Sequence, residues 1–115
     1  MSENDPAWLV ACLCAGWCRT CDAYRDTFDA LAREFAGRAA FRWVDIEDEA
    51  DTLGELDVVD FPTLLVAEGA EPRFLGPVLP APGAARQLIE RALQRQLGPV
   101  ATPLPPGLVA QLREA

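Results

Sequence analysis

The stretch from Trp8 to Cys21, WLVACLCAGWCRTC, constrains the fold more than any other part of the chain. Trp8 to Ala15 are apolar or small and suit a short buried strand, about Ala7 to Leu13. The run ends in Trp17-Cys18-Arg19-Thr20-Cys21, two thiols three positions apart where a helical pattern begins. Residues three apart in a first helical turn share a face, so a reversible disulfide is geometrically allowed there. The same turn carries unpaired backbone N–H groups and the positive end of the helix dipole, which favour a thiolate over a thiol. Cys18, at the mouth of the turn, gains most.

The 115 residues fit one domain with a single core, and 50% of them are hydrophobic. A formal charge of -8 repels nucleic acid and anionic headgroups, so neither nucleic acid nor a membrane is expected as a partner. The basic residues are all Arg, and the absence of His and Lys removes the usual general base, imidazole ligands and Schiff-base chemistry. Chemistry must come mostly from Cys and carboxylates. The acidic N-terminus, residues 1–6, lacks the basic start of a secretory signal, and the apolar run breaks at Cys18-Arg19 too soon to span a bilayer. The expectation is a cytoplasmic protein, whose four cysteines are catalytic or metal-binding rather than structural staples.

Beyond a disordered arm at residues 1–6, the order reads as follows. Tyr24, Phe28, Leu31, Ala32 and Phe35 form one apolar helical stripe, with Gly37 as its stop. Ala40 to Ile46 is a second strand, joined to the first as a right-handed parallel βαβ unit. Glu47 to Leu56 holds a short helix at most. Phe61 to Ala67 and Arg73 to Leu75 are third and fourth strands in a hairpin. Leu88, Ile89, Ala92, Leu93 and Leu97 mark a helix from near Ala81-Pro82 to Gly98-Pro99. The tail, residues 98–115, is rich in proline; it is expected to be disordered, with a short helix from Leu108 as the alternative.

An aromatic-CxxC between a buried strand and a helix, in a β-α-β, short-helix, β-β-α order, resembles the thioredoxin superfamily over residues 7–97. Phe61-Pro62-Thr63 resembles that family's cis-proline element, and Gly76 its glycine near the substrate groove. The fold class implied is α/β, a thioredoxin-like four-stranded mixed sheet flanked by helices. The activity implied is thiol-disulfide oxidoreduction. Cys18 attacks a protein disulfide, Cys21 resolves the mixed disulfide, and a redox-active Cys18-Cys21 disulfide remains. No bound cofactor is needed, and the partners are protein thiols or disulfides and an unidentified reductase or oxidant. Trp17, Phe61, Pro62, Thr63 and Gly76 are the implied substrate contacts. Arg19 would support the Cys18 thiolate, while Asp22 and Asp60 would oppose it.

The chain also departs from the family pattern. About six residues stand where a full thioredoxin has a further strand and helix, which leaves Ala40 to Ile46 an uncovered edge, blunted by Arg42 and Asp45. A monomer is expected, with edge-strand dimerisation as the alternative. Cys12 occupies the place of the family's buried Asp, six residues before Cys18, and Arg19-Thr20 replaces the familiar Gly-Pro. Cys12 and Cys14 alternate onto one side of the strand, beneath or beside the active pair. Core packing is the leading reading for them. They are also a candidate second redox pair, either one exchanging with Cys21 to make a second relay or a regulatory disulfide, and a four-thiolate metal site fits least because structural zinc draws on two knuckles or hairpins. Trp8 and Trp43 read as core. Asp45, Glu47 and Asp48 sit near a strand's C-terminal end, where Asp45 is a strand-end cap before it is a proton acceptor. The rival to an enzyme is a redox-silent thioredoxin-like binding or scaffold module.

Overall fold

A computed structural model describes residues 7–54, 58, 61–98, 100, 104 and 107–114. The arm at residues 1–6, Asp60 and the prolines 99, 103, 105 and 106 lie outside them. The elements are β1 (Trp8–Cys14), α1 (Arg19–Glu34), β2 (Ala39–Asp45), α2 (Ala50–Leu53), β3 (Thr63–Glu68), β4 (Glu71–Pro77), α3 (Pro82–Leu93) and α4 (Leu108–Arg113). They form a four-stranded mixed sheet ordered β2-β1-β3-β4. β1 runs parallel to β2 and antiparallel to β3, and β3 pairs antiparallel with β4.

β1 is the sheet's centre because every residue in it is buried. Its alternation feeds two cores. Trp8, Val10, Cys12 and Cys14 face α1 and α3, packing with Tyr24, Phe28, Leu31 and Ile89. Leu9, Ala11 and Leu13 face the other way, against Val44, Leu53, Leu65, Leu108, Val109 and Leu112. The predicted α1 stripe is buried at Tyr24, Phe28, Leu31 and Phe35, with Ala32 at its margin and Cys21 added at its start. Trp8 is buried as expected. Trp43 is half-buried, beside Phe28 with ring centroids 5.8 Å apart and under the Arg25 guanidinium at 4.7 Å.

Several boundaries differ from the sequence reading. β1 continues one residue further, to Cys14, because Cys14 still pairs with Asp45 in the parallel register. Phe61 and Pro62 precede β3 rather than opening it, and the Phe61-Pro62 peptide bond is cis. α3 stops at Leu93 instead of running to Gly98. The Gln96 N–H reaches the Arg91 carbonyl and the Arg95 N–H the Ala92 carbonyl, each at 2.9 Å, while Arg95 takes a φ of 59°. This is a Schellman closure in which Arg95 occupies the left-handed position usually held by glycine.

In the tail, the short helix from Leu108 that stood as the alternative to disorder is present as α4. Leu108, Val109 and Leu112 of α4 are buried on the face that also holds α2. A short helix with three apolar residues on one side has little stability alone. Burial against the face of the sheet that carries Leu9, Ala11 and Leu13 supplies it, at roughly 1.5 to 3 kcal/mol for each large side chain. Arg113 donates to the carbonyls of Ala7 (2.6 Å) and Gly69 (3.1 Å), and Arg42 Nε donates to the Arg113 carbonyl (2.7 Å). Arg42, expected to blunt the β2 edge, ties that edge strand to α4.

Candidate redox site

The turn after β1 is short. The Cys18 N–H donates to the Ala15 carbonyl (3.0 Å), and the Asp22 N–H donates to the Cys18 carbonyl (3.1 Å), so Cys18 is the residue that opens α1. A side chain at Gly16 would have little room. An added Cβ would lie 3.0 Å from Asp45 Oδ2, because the Asp45 carboxylate is folded against the turn. Asp45 Oδ1 accepts from the backbone N–H of Glu47 (2.8 Å) and Asp48 (3.4 Å). Asp45 therefore caps the chain after β2, as the strand-end reading anticipated.

One turn into α1, Cys21 begins the buried stripe and faces the same layer as Cys12 and Cys14. It is bonded there: a disulfide joins Cys14 to Cys21, with Cα atoms 5.8 Å apart. Cys12 and Cys18 are free thiols, Cys12 buried and Cys18 half-buried at the helix mouth. This differs from the Cys18-Cys21 pairing that the resemblance implied, and it takes Cys14 out of simple core packing. The physical reason is that β1 ends at Cys14 and only four residues separate it from α1, so Cys21 lies over the end of the strand.

Cys12 Sγ lies 3.7 Å from Cys14 Sγ. With Cys14 in a disulfide, the hydrogen of that contact belongs to Cys12, whose S–H donates. Burial pushes the Cys12 thiol up to about 12, with Arg25 pulling weakly the other way, so Cys12 stays protonated across the physiological range. Beside it, the Tyr24 hydroxyl is buried without a hydrogen-bond partner among the described residues, and burial first, then Cys12, raises it to about 12. The Cys14-Cys21 bond is the pairing with Cys21 that stood as the alternative to core packing for Cys12 and Cys14, whereas the orphaned Tyr24 hydroxyl was not foreseen. The signal available was the shared parity of Cys12 and Cys14 with the α1 stripe that Cys21 starts.

The other predicted site residues fall into two groups. Trp17 is 67% exposed, and its ring meets Phe61 edge to face with centroids 5.6 Å apart, which brings the CxxC turn to the proline loop. Phe61 is half-buried, Pro62 and Thr63 are buried, and the Pro62 carbonyl accepts from the Val78 N–H (3.0 Å). Gly76 pairs with Leu64 on β4, and a Cβ there would sit 3.3 Å from the Phe74 ring. Arg19 and Asp22 are exposed on the first turn of α1.

This architecture has known counterparts. The thioredoxin family model matches residues 1–77. Thioredoxin M4 of the chloroplast of Arabidopsis thaliana is 27% identical over 97 residues, which is 83% of this chain and 47% of that protein. A thioredoxin of Staphylococcus saprophyticus is 29% identical over 58 residues, 50% of this chain and 56% of that protein. The chain thus spans about half the length of the curated relatives it matches. Among solved structures, the germline-specific thioredoxin Deadhead of Drosophila melanogaster superposes with a TM-score of 0.67 at 16% identity, covering 78% of this chain and 83% of that one. Fasciola hepatica thioredoxin does so with a TM-score of 0.67 at 22% identity, covering 78% and 85%. On the family match and the shared sheet, this chain belongs to the thioredoxin family.

Proposed function

We propose that the chain is a thiol-disulfide oxidoreductase acting on protein disulfides or thiols. The observation that supports this best is the free, half-buried Cys18 at the mouth of α1, one turn before Cys21 and flanked by the Trp17-Phe61 contact. Helix-mouth cysteines are where thiolate chemistry is favoured. Once an external reductant has opened the Cys14-Cys21 bond, Cys18 attacks a substrate disulfide, one substrate sulfur leaves, and Cys21, now a free thiol, attacks Cys18 in the mixed disulfide to release the second. Trp17, Phe61, Pro62, Thr63 and Gly76 line the approach for an extended chain. Redox work requires no bound cofactor in this scheme, only an external reductant or oxidant that resets the pair.

The test is a redox titration of the purified protein in graded glutathione buffers, with turnover of a disulfide-bonded reporter protein measured alongside. The expected result is reporter reduction by the wild type that is lost in Cys18→Ser. Equal partner binding by both proteins with no turnover by either would replace this reading with a redox-silent binding module. Exposed Trp17 and Leu79, 67% and 72% accessible, are the observation that would then matter.

A further inference from the structure

Cys21 stands between two sulfur partners. Cys18 precedes it by one helical turn and is half-exposed; Cys14 lies beneath it at the end of β1 and holds it in the observed disulfide. Cys18 packs against the same core cluster that contains Cys12, Cys14 and Cys21, so all four sulfurs belong to one layer. We propose that Cys18-Cys21 and Cys14-Cys21 are interconverting isomers of the one-disulfide protein, and that the inner isomer returns Cys18 to the free thiol while the molecule remains oxidised.

The step is isoelectronic. The Cys18 thiolate attacks Cys21 Sγ, the Cys14-Cys21 bond breaks, the Cys18-Cys21 bond forms, and the electron pair of the broken bond leaves on Cys14. Cys14 takes up the proton that Cys18 gave up, so the protein gains and loses no electrons. The reverse step begins with Cys14 attacking Cys21. A buried leaving thiolate is costly unless it is hydrogen-bonded. The Cys12 S–H, 3.7 Å from Cys14 Sγ, is placed to donate to it. Cys12 is a positioning residue in this scheme: it serves the departing sulfur and is never itself attacked.

The inference rests on Cys18 as the nucleophile, and its test reads bond positions rather than turnover. Fully reduced protein is oxidised with one equivalent of diamide, quenched in acid at intervals, alkylated, and mapped by peptide mass. The wild type is expected to show both disulfides in a ratio that settles with time. Cys18→Ser should retain only the Cys14-Cys21 peptide pair, and Cys14→Ala only Cys18-Cys21. Cys12→Ala should slow the approach to the final ratio by about tenfold, the size of one hydrogen bond to a charged group, with Cys12→Ser restoring it. A wild type that forms Cys18-Cys21 alone at every time, or a Cys18→Ser protein that forms no inner disulfide, would overturn the isomer pair. If the wild type still reduces the reporter while Cys18→Ser does not, the oxidoreductase reading survives. Both isomers in a protein without turnover would support the exchange and overturn the oxidoreductase reading. An unchanged rate in Cys12→Ala would remove Cys12 from the step.

Discussion

Trp17 and Phe61 meet edge to face across the site, the first two-thirds exposed on the CxxC turn and the second half-buried on the proline loop. They come from segments far apart in sequence. Their contact gives the mouth of the site one apolar wall, beside the only half-exposed thiol among the described cysteines. An aromatic pair of this kind contributes about 0.5 to 1.5 kcal/mol beyond its buried area. Trp17→Ala is therefore expected to lower kcat/KM for a reporter protein about fivefold, chiefly through KM. Loss of the contact should also lower the free energy of unfolding in urea, by about 0.5 to 1.5 kcal/mol.

The Gly16-Asp45 contact can be measured as a coupling. A Cβ at Gly16 meets Asp45 Oδ2 at 3.0 Å, and Asp45 cannot retreat without weakening its bond from the Glu47 N–H. Gly16→Ala should cost about 1 to 3 kcal/mol in urea unfolding. In an Asp45→Ala background the same change should cost clearly less, and equal costs in the two backgrounds would show that the carboxylate is not what excludes a side chain.

Stability should fall at alkaline pH for an identifiable reason. Cys12 is held near 12 in the folded protein against an ordinary value of 9.0, so from about pH 9 upward the unfolded chain loses this proton while the folded chain keeps it. The unfolded state is favoured progressively, on the order of 2 kcal/mol from this group by pH 10.5. Tyr24, raised from 10.0 to about 12, acts in the same direction from about pH 10. The stabilisation is complete below pH 9 and is lost as pH rises toward 12. Urea titrations at pH 8 and 10.5 should show the drop in the wild type and a shallower one in Cys12→Ala.

Tyr24→Phe makes a separate neutral-pH prediction. The hydroxyl is buried and unpartnered among the described residues, so its removal takes away a desolvation cost of about 1 to 3 kcal/mol without breaking a bond. The variant should unfold at a higher urea midpoint than the wild type at pH 7. A lower midpoint would mean the hydroxyl is satisfied in solution.

Leu112 is fully buried beneath the sheet, and Leu112→Ala should destabilise by about 2 to 5 kcal/mol. The cost should be similar in Cys14→Ala, since α4 and the disulfide lie on opposite faces of β1 and distant sites add. Thermal melts of the two single variants and the double variant check this.

The sequence by itself determined the periodicities: seven apolar residues in β1, the Tyr24-Phe28-Leu31-Phe35 stripe, the hairpin around Gly69, and hence the element order and a thioredoxin-like sheet. These are local or two-body properties, legible from spacing alone. It also located the CxxC turn and the proline loop, because motif and offset survive without coordinates. It left the tail open between disorder and a short helix from Leu108, because proline content describes the chain before Leu108, whereas docking depends on an apolar underside that exists only once β1, β2 and β3 are assembled. The choice between Cys18 and Cys14 as the partner of Cys21 was decided the same way. Sequence separation favours the nearer thiol, three residues off against seven, but bonding follows the distance between sulfurs. That distance is set by where the end of a buried strand lies beneath the first turn of a helix, and only the packed structure defines it.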